Sequence, residues 1–244
     1  MRNNLILFLF LIASLPACDK ENMGDCFKST GKIETETRAL APFTALELDD
    51  RINLYVTFDN EYSVQVKAGK NLIEMVKTEV IGNTLHIENN NTCNWMRSFK
   101  YDIDVFLTVP DLTDFTYYGG GEVRFMNPLV TDTFRLELWH ASGNLYLNVI
   151  GDYVTLKSNT GPGDIFCIGT ARELVGYNNG AGTVDAGQIV ARNVLAVNTG
   201  IGKLVVNAQE NLKADIKNSG NIEYFGSPSV VLNKIGSGEL VSRN

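Results

Sequence analysis

Through the second half of the chain, apolar and polar positions alternate in short runs, and a glycine opens each run. The runs are Gly121-Glu-Val-Arg-Phe, Gly143-Asn-Leu-Tyr-Leu, Gly163-Asp-Ile-Phe-Cys, Gly182-Thr-Val-Asp-Ala, Gly202-Lys-Leu-Val-Val, Gly220-Asn-Ile-Glu-Tyr and Gly238-Glu-Leu-Val. The residue two after each glycine is aliphatic: Val123, Leu145, Ile165, Val184, Leu204, Ile222 and Leu240. The residue one after is polar in every copy, and the residue four after is mostly apolar. Alternation with period two predicts a short strand with one buried face. The glycines are separated by 22, 20, 19, 20, 18 and 18 residues. Self-similarity at such a period is the sequence mark of a stacked-repeat architecture.

A second apolar pair stands before most of the glycines, as in Leu136 with Leu138 and Leu195 with Val197, and predicts another strand on each coil. The turn between has its own signature: Asn159-Thr-Gly, Asn178-Asn-Gly, Asn198-Thr-Gly and Asn218-Ser-Gly. Glycine and asparagine both tolerate the left-handed region that such turns use. The same chemistry recurs at the same place in each copy, so equivalent residues should stack in columns. Antiparallel hairpins would reverse the buried face between neighbours. The expected fold is mostly β, a right-handed parallel β-helix (a single-stranded β-solenoid) of about 20-residue coils. Asn159, Asn178, Asn198 and Asn218 are expected to form a ladder of side-chain amides.

Alternation is less regular from Phe43 to Pro110, in runs such as Ile52-Asn-Leu-Tyr-Val-Thr-Phe and Tyr101-Asp-Ile-Asp-Val-Phe-Leu. Asn71, with Glu74 three residues on, reads as the cap of one short helical turn. A polar insertion at 89–98 is expected to protrude. The organisation predicted is 1–17 as a signal peptide, 18–37 as a polar tether, and 38–244 as a single β-helical domain. Within that domain 38–114 would form irregular coils and 115–244 the regular ones.

The leader follows from Arg2, then an apolar run over Leu5–Leu15 that is too short to span a bilayer. It ends in Leu15-Pro-Ala-Cys18, which resembles the bacterial lipobox; the resemblance implies cleavage before Cys18 and acylation of that residue. Several acyl chains give a stable membrane anchor where one is marginal. The chain carries a net charge of −7, which becomes −8 once Arg2 leaves with the leader. That balance excludes a phosphate-neutralising nucleic-acid binder.

Cys26 and Cys93 lie in loop-like surroundings of an exported chain and are a candidate disulfide. Cys167 falls in an inward column and reads as a small core residue. The four cysteines with His86 and His140 show no metal-ligand spacing.

The run Phe43-Thr-Ala-Leu-Glu-Leu, then Ile52-Asn-Leu-Tyr-Val, Val64-Gln-Val, Asn71-Leu-Ile and Gly82-Asn-Thr-Leu-His-Ile resembles the auto-transporter adhesin head domain of the GIN type. The resemblance covers about residues 38–244. The Gly-Ile-Asn of that type stands here as Arg51-Ile52-Asn53. The resemblance implies an exported β-helical protein.

Parallel β-helices also carry polysaccharide-degrading enzymes, which need paired carboxylates. Glu122, Asp164 and Glu239 are separated along their column by other residues, and only Asp164 and Asp185 approach diagonally. No catalytic residue, cofactor or metal is therefore expected. Two aromatic pairs are candidate binding surface: Tyr146 with Phe166, and Tyr117 with Trp139. The alternative for both is that stacked aromatics stiffen the coil or lie under a cover, and alternation turns Tyr146 and Phe166 outward. The expected function is that of a lipid-anchored cell-envelope protein, at the outer membrane, with a non-catalytic adhesin-like surface for a glycan or a surface protein. A carbohydrate-active enzyme and a structural element of the envelope are the alternatives, and the oligomeric state is open. Mass spectrometry of the mature N-terminus should show acylated Cys18; an unmodified peptide spanning Leu15 and Cys18 would contradict the leader assignment.

Overall fold

The computed structural model describes residues 30–91 and 102–244. Cys18, Cys26 and Cys93, and with them the lipidation site and the candidate disulfide, lie outside the described residues. The described residues form a parallel β-solenoid of about six turns with coils of about 20 residues.

The coils are clearest in β11 (Asn144–Ser158), β12 (Asp164–Asn178), β13 (Val184–Asn198) and β14 (Leu204–Ile216), each hydrogen-bonded in parallel to the next. Each is one long bent strand rather than the two separate strands expected. In β11 the inward residues are Leu145, Leu147 and Val149 before the bend, then Val154, Leu156 and Ser158 after it. The inward parity therefore switches across the exposed bend at 150–153. One consequence corrects the sequence reading. Leu136 and Leu138 point inward, but on β13 the inward residues are Val194, Ala196 and Asn198, while Leu195 and Val197 face out, half-buried. Asn198 fixes that phase because its amide is needed inside the turn.

The glycine-plus-two residues stack as predicted. Val123 on β9 (Val123–Phe125) pairs with Leu145, then Ile165, Val184, Leu204, Ile222 on β15 (Ile222–Phe225) and Leu240 on β17 (Leu240–Ser242). All but the terminal Leu240 are fully buried. A neighbouring column places Cys167 on Leu147, with burial raising the thiol pKa far above its ordinary value.

The repeat glycines are required for a reason other than positive φ, which none of the seven adopts. A Cβ at Gly143 would overlap the Gly121 carbonyl oxygen, and one at Gly202 would overlap that of Gly182. The same holds at 182, 220 and 238, each against the carbonyl of the glycine one coil earlier; at Gly163 the approach is 2.9 Å. Every repeat glycine thus lets one coil settle on the backbone of the last. Positive φ occurs instead at other glycines, such as Gly161 in a turn, and at Asp50 and His140.

The asparagine ladder is also corrected. The register places Ser158, Asn178 and Asn198 in one column, with Ile216 following, so Asn159 and Asn218 lie outside it. The two buried amides do not bond each other. Asn178 donates through Nδ2 to the carbonyls of Gly182 (2.9 Å) and Lys203 (3.0 Å), and its Oδ1 accepts from Gly180 N–H (3.0 Å). Asn198 repeats this set with Gly202, Asn221 and Gly200. Each side chain closes its own turn and ties it to the following coil, which satisfies backbone groups that burial would otherwise orphan.

The first half of the described chain stacks on the coils in parallel. β2 (Ala45–Leu48) pairs with β8 (Asp114–Tyr117), and β3 (Asn53–Phe58) pairs with β9. β6 (Thr84–Asn89) and β7 (Asp104–Val109) stack in parallel on β2 and β3 in turn, and beyond these the pattern departs from coils. β1 (Ile33–Ala39) runs antiparallel to β4 (Ser63–Gly69), β4 antiparallel to β7, and β5 (Val76–Ile81) antiparallel to β6. This turned-back layer covers the first coil, the end treatment that solenoids need. Its helical turn α1 (Lys70–Ile73) has Gly69 at the N-cap, not Asn71. The N–H groups of Lys70 and Asn71 bond instead to the carbonyls of Lys32 and Thr30, so no side-chain cap is needed.

Val184→Asp should unfold the coils around it, because an unpaired buried charge is strongly destabilising, by about 3–5 kcal/mol. Thr183→Asn, one residue away on the outer face, should leave Tm within a degree or two. Similar losses at both positions in thermal melts would contradict the register.

Candidate binding surface

The outward position between the two inward residues of each coil forms a continuous column. It runs Phe106, Tyr55, Arg124, Tyr146, Phe166, Asp185, Val205 and Glu223. Alternation turns these side chains away from the core, Val205 alone being buried there by its neighbours, and parallel pairing sets them about 4.8 Å apart. Tyr146 and Phe166 stack with ring centroids 5.3 Å apart and planes 13° from parallel. The Arg124 guanidinium lies 4.1 Å from the Tyr146 ring centroid and bonds Glu122 on its own strand. Tyr55 and Phe106 form a second stack, at 5.1 Å and 17°. Four rings and one guanidinium therefore make a strip across five strands.

The strip was half visible in the sequence. Tyr146 and Phe166 share a glycine-plus-three position. Tyr55 and Phe106 were missed because they belong to the irregular half, where no glycine marks the phase. The signal that could have found them is the alternation itself, which flanks Tyr55 with Leu54 and Val56, both buried.

The geometry decides what the strip can offer. Its rings lie against one another and against Arg124, so the ring faces are largely covered, and the outer surface presents ring edges and two phenols. Phe106 is 39% exposed and the other members are half-buried. Beside the strip runs a polar column with Asp104, Asn53, Glu122, Asn144 and Asp164. Asn53 donates to Asp104 (3.1 Å) and accepts from the Glu122 N–H (3.1 Å). Burial, and then the charges of Asp104 and Glu122, raise the Tyr55 phenol above its ordinary pKa, so it stays a neutral donor.

Tyr117 and Trp139 are separated by the register. Tyr117 pairs with Leu138 and is fully buried, so it is not surface. Its hydroxyl donates to the Gly121 carbonyl at 2.7 Å. That bond is the counterpart, four residues ahead, of Asn178 to Gly182 and Asn198 to Gly202. Counting back from the glycine failed because Gly121 lies four residues after Tyr117, whereas Gly143 lies five after Leu138, the residue that Tyr117 pairs with. Trp139 is 37% exposed at the corner of the coil, and its indole N–H reaches Glu137 at 3.3 Å.

The carboxylates considered for catalysis have backbone partners. Asp164 accepts from Thr183 N–H at 2.7 Å, and Asp185 accepts from Gly187 N–H at 3.0 Å. Asp49 is held above the ordinary carboxyl range by burial and then by Glu47, Asp50 and Glu88. It sits on β2's flank of the coil, away from the strip. Among the described residues no cluster of three or more His, Cys, Asp or Glu side chains could hold a metal ion.

Solved structures share this architecture. A putative adhesin from Bacteroides fragilis is 26% identical, with a TM-score of 0.80 over 86% of this chain and 97% of that one. A putative adhesin from Parabacteroides merdae (20%, TM-score 0.66) and a putative lipid binding protein from Parabacteroides distasonis (20%, TM-score 0.69) each match 88% of this chain and 98% of their own. Those two likenesses establish the fold alone. No functionally curated protein matches the chain significantly. The sequence model of the family described as putative auto-transporter adhesin, head GIN domain, matches residues 42–228. With most of its solenoid inside that match, the chain belongs to the adhesin head GIN domain family.

Proposed function

We propose that this protein is a lipid-anchored component of the bacterial cell envelope whose solenoid is a non-catalytic, adhesin-like contact surface. The observation that carries the proposal is the outward strip Phe106–Tyr55–Arg124–Tyr146–Phe166. Apolar surface with a polar rim, continuous over several coils, is characteristic of contact sites. The family supports a place at the cell surface or in the envelope. Among the described residues no helix is long and apolar enough to cross a membrane, and Cys18 is the anchor proposed.

Because the ring faces are covered, a sugar cannot lie flat on the inner rings of the strip. The strip instead suits edge contacts and phenol hydrogen bonds with a flat partner, a surface protein or a glycan laid across the coils. An enzyme reading has less support, since Asp164 and Asp185 are both engaged by backbone N–H groups.

Tyr146→Ser combined with Phe166→Ser tests the site. The stacked pair contributes about 0.5–1.5 kcal/mol beyond its buried area, so Tm should fall by only a few degrees. Capture of the partner from intact envelopes, or of a ligand on a glycan array, should be lost. A cooperative collapse of the fold would make these rings core, and undiminished capture would place the contact elsewhere.

A further inference from the structure

At the bend of the coils, away from the aromatic strip, two outward columns run side by side. One is aliphatic at three of its four positions: Val130 pairs with Ile150, Ile150 with Thr170, and Thr170 with Val190. Val130 is 70% exposed, Ile150 41% and Val190 48%, high values for aliphatic side chains stacked on consecutive strands. The other column lies two residues further along each strand and is charged: Asp132, Asp152, Arg172 and Arg192. Small residues separate the two, with Thr131 paired to Gly151, Gly151 to Ala171 and Ala171 to Ala191. The three columns enclose one shallow groove of about 560 Å³.

The order of charge along the axis is minus, minus, plus, plus. Asp152 and Arg172, at the centre, meet at 3.6 Å, and Arg172 also lies 4.6 Å from the Tyr153 ring centroid. Arg192 reaches Glu210 on the following coil at 2.8 Å. Such a column is complementary to itself when reversed. A two-fold axis lying in the interface and crossing the columns would bring Asp132 opposite the partner copy's arginine at 192, and Asp152 opposite that at 172. The same operation lays Val130 against the partner copy's valine at 190 and Ile150 against its threonine at 170, so the outer contacts are apolar and each central one sets an isoleucine on a small threonine. A two-fold parallel to the solenoid axis would instead oppose like charges.

We infer that this edge is an isologous, antiparallel contact between two copies of the chain. A two-fold interface requires a self-complementary patch, and the sign pattern selects one of the two packings. The patch spans four strands, about 15 Å along the axis, so the contact is small and its strength depends on ionic strength. Anchored chains confined to one membrane surface would meet at high local concentration.

Sedimentation velocity on the full-length mature chain with Cys18→Ser tests the inference at low salt over a wide concentration range. The chain should show a reversible monomer–dimer equilibrium that shifts toward monomer as salt is added. Two variants separate charge pairing from general stickiness. D132R with D152R makes the column all positive, and R172D with R192D makes it all negative. Each variant alone should sediment as a monomer with near-native Tm, and an equimolar mixture should form a heterodimer. A monomer at every concentration of the parent chain would overturn the inference. So would dimers that persist in either variant, or a mixture that fails to associate.

Discussion

The structure depends on how closely one coil can approach the next. Parallel strands must come within hydrogen-bonding distance along the whole coil, including at the turn, where no regular ladder holds them. At the turn the chain solves this with glycine. From Gly121 to Gly238, each repeat glycine lies against a backbone carbonyl of the coil before it, at a separation that leaves no room for a side chain. Beside these glycines, Tyr117, Asn178 and Asn198 each donate to the carbonyl four residues ahead. A phenol and two carboxamides thus perform one task. The carboxamides of Asn178 and Asn198 pair the backbone groups of their turns, and the position of the turn fixes the phase of everything downstream.

That phase determines the surfaces. Once the turn sets which residues face in, alternation turns the residue between each inward pair outward, and stacking converts it into a column. The aromatic strip, the polar column beside it and the charged column at the bend all arise this way. Their chemistry is free to vary, because the core and the turn hold the coil. Such a scaffold separates stability, carried by the inward columns and the glycine turn, from the outward columns, where the proposed contact surface lies.

Most of the architecture was legible in the sequence, because a column of seven aliphatic residues at glycine-plus-two admits few other readings. What escaped has physical causes. The glycines of the Asn-x-Gly turn were read as residues that tolerate positive φ, but only Gly161 adopts it, and at Gly180, Gly200 and Gly220 close packing against backbone is what demands glycine; a sequence cannot tell the two apart. The asparagine column slipped because Gly163 lies five residues after the ladder position Ser158, whereas Gly182 and Gly202 lie four after Asn178 and Asn198, so alignment on the motif and alignment on the ladder disagree. Leu195 and Val197 looked inward by hydropathy, but Asn198 takes the inward place. The antiparallel cap was not foreseen since its strands alternate as any coil strand does, and only their partners differ. Of the candidate surface, Tyr146 and Phe166 share a column that the repeat reveals. Tyr117 lost its surface role to a hydrogen bond that no hydropathy pattern encodes.

The central claim is that close backbone approach at the glycine column holds the coils in register, and thermal melts of two glycine variants test it most directly. Gly202→Ala places a methyl group against the Gly182 carbonyl, whereas Gly120→Ala meets only the Ser142 hydroxyl, at 3.0 Å. Overpacking against rigid backbone destabilises by about 1–3 kcal/mol or more. The account therefore predicts a large fall in Tm for Gly202→Ala and a small one for Gly120→Ala. Equal and small shifts would contradict it.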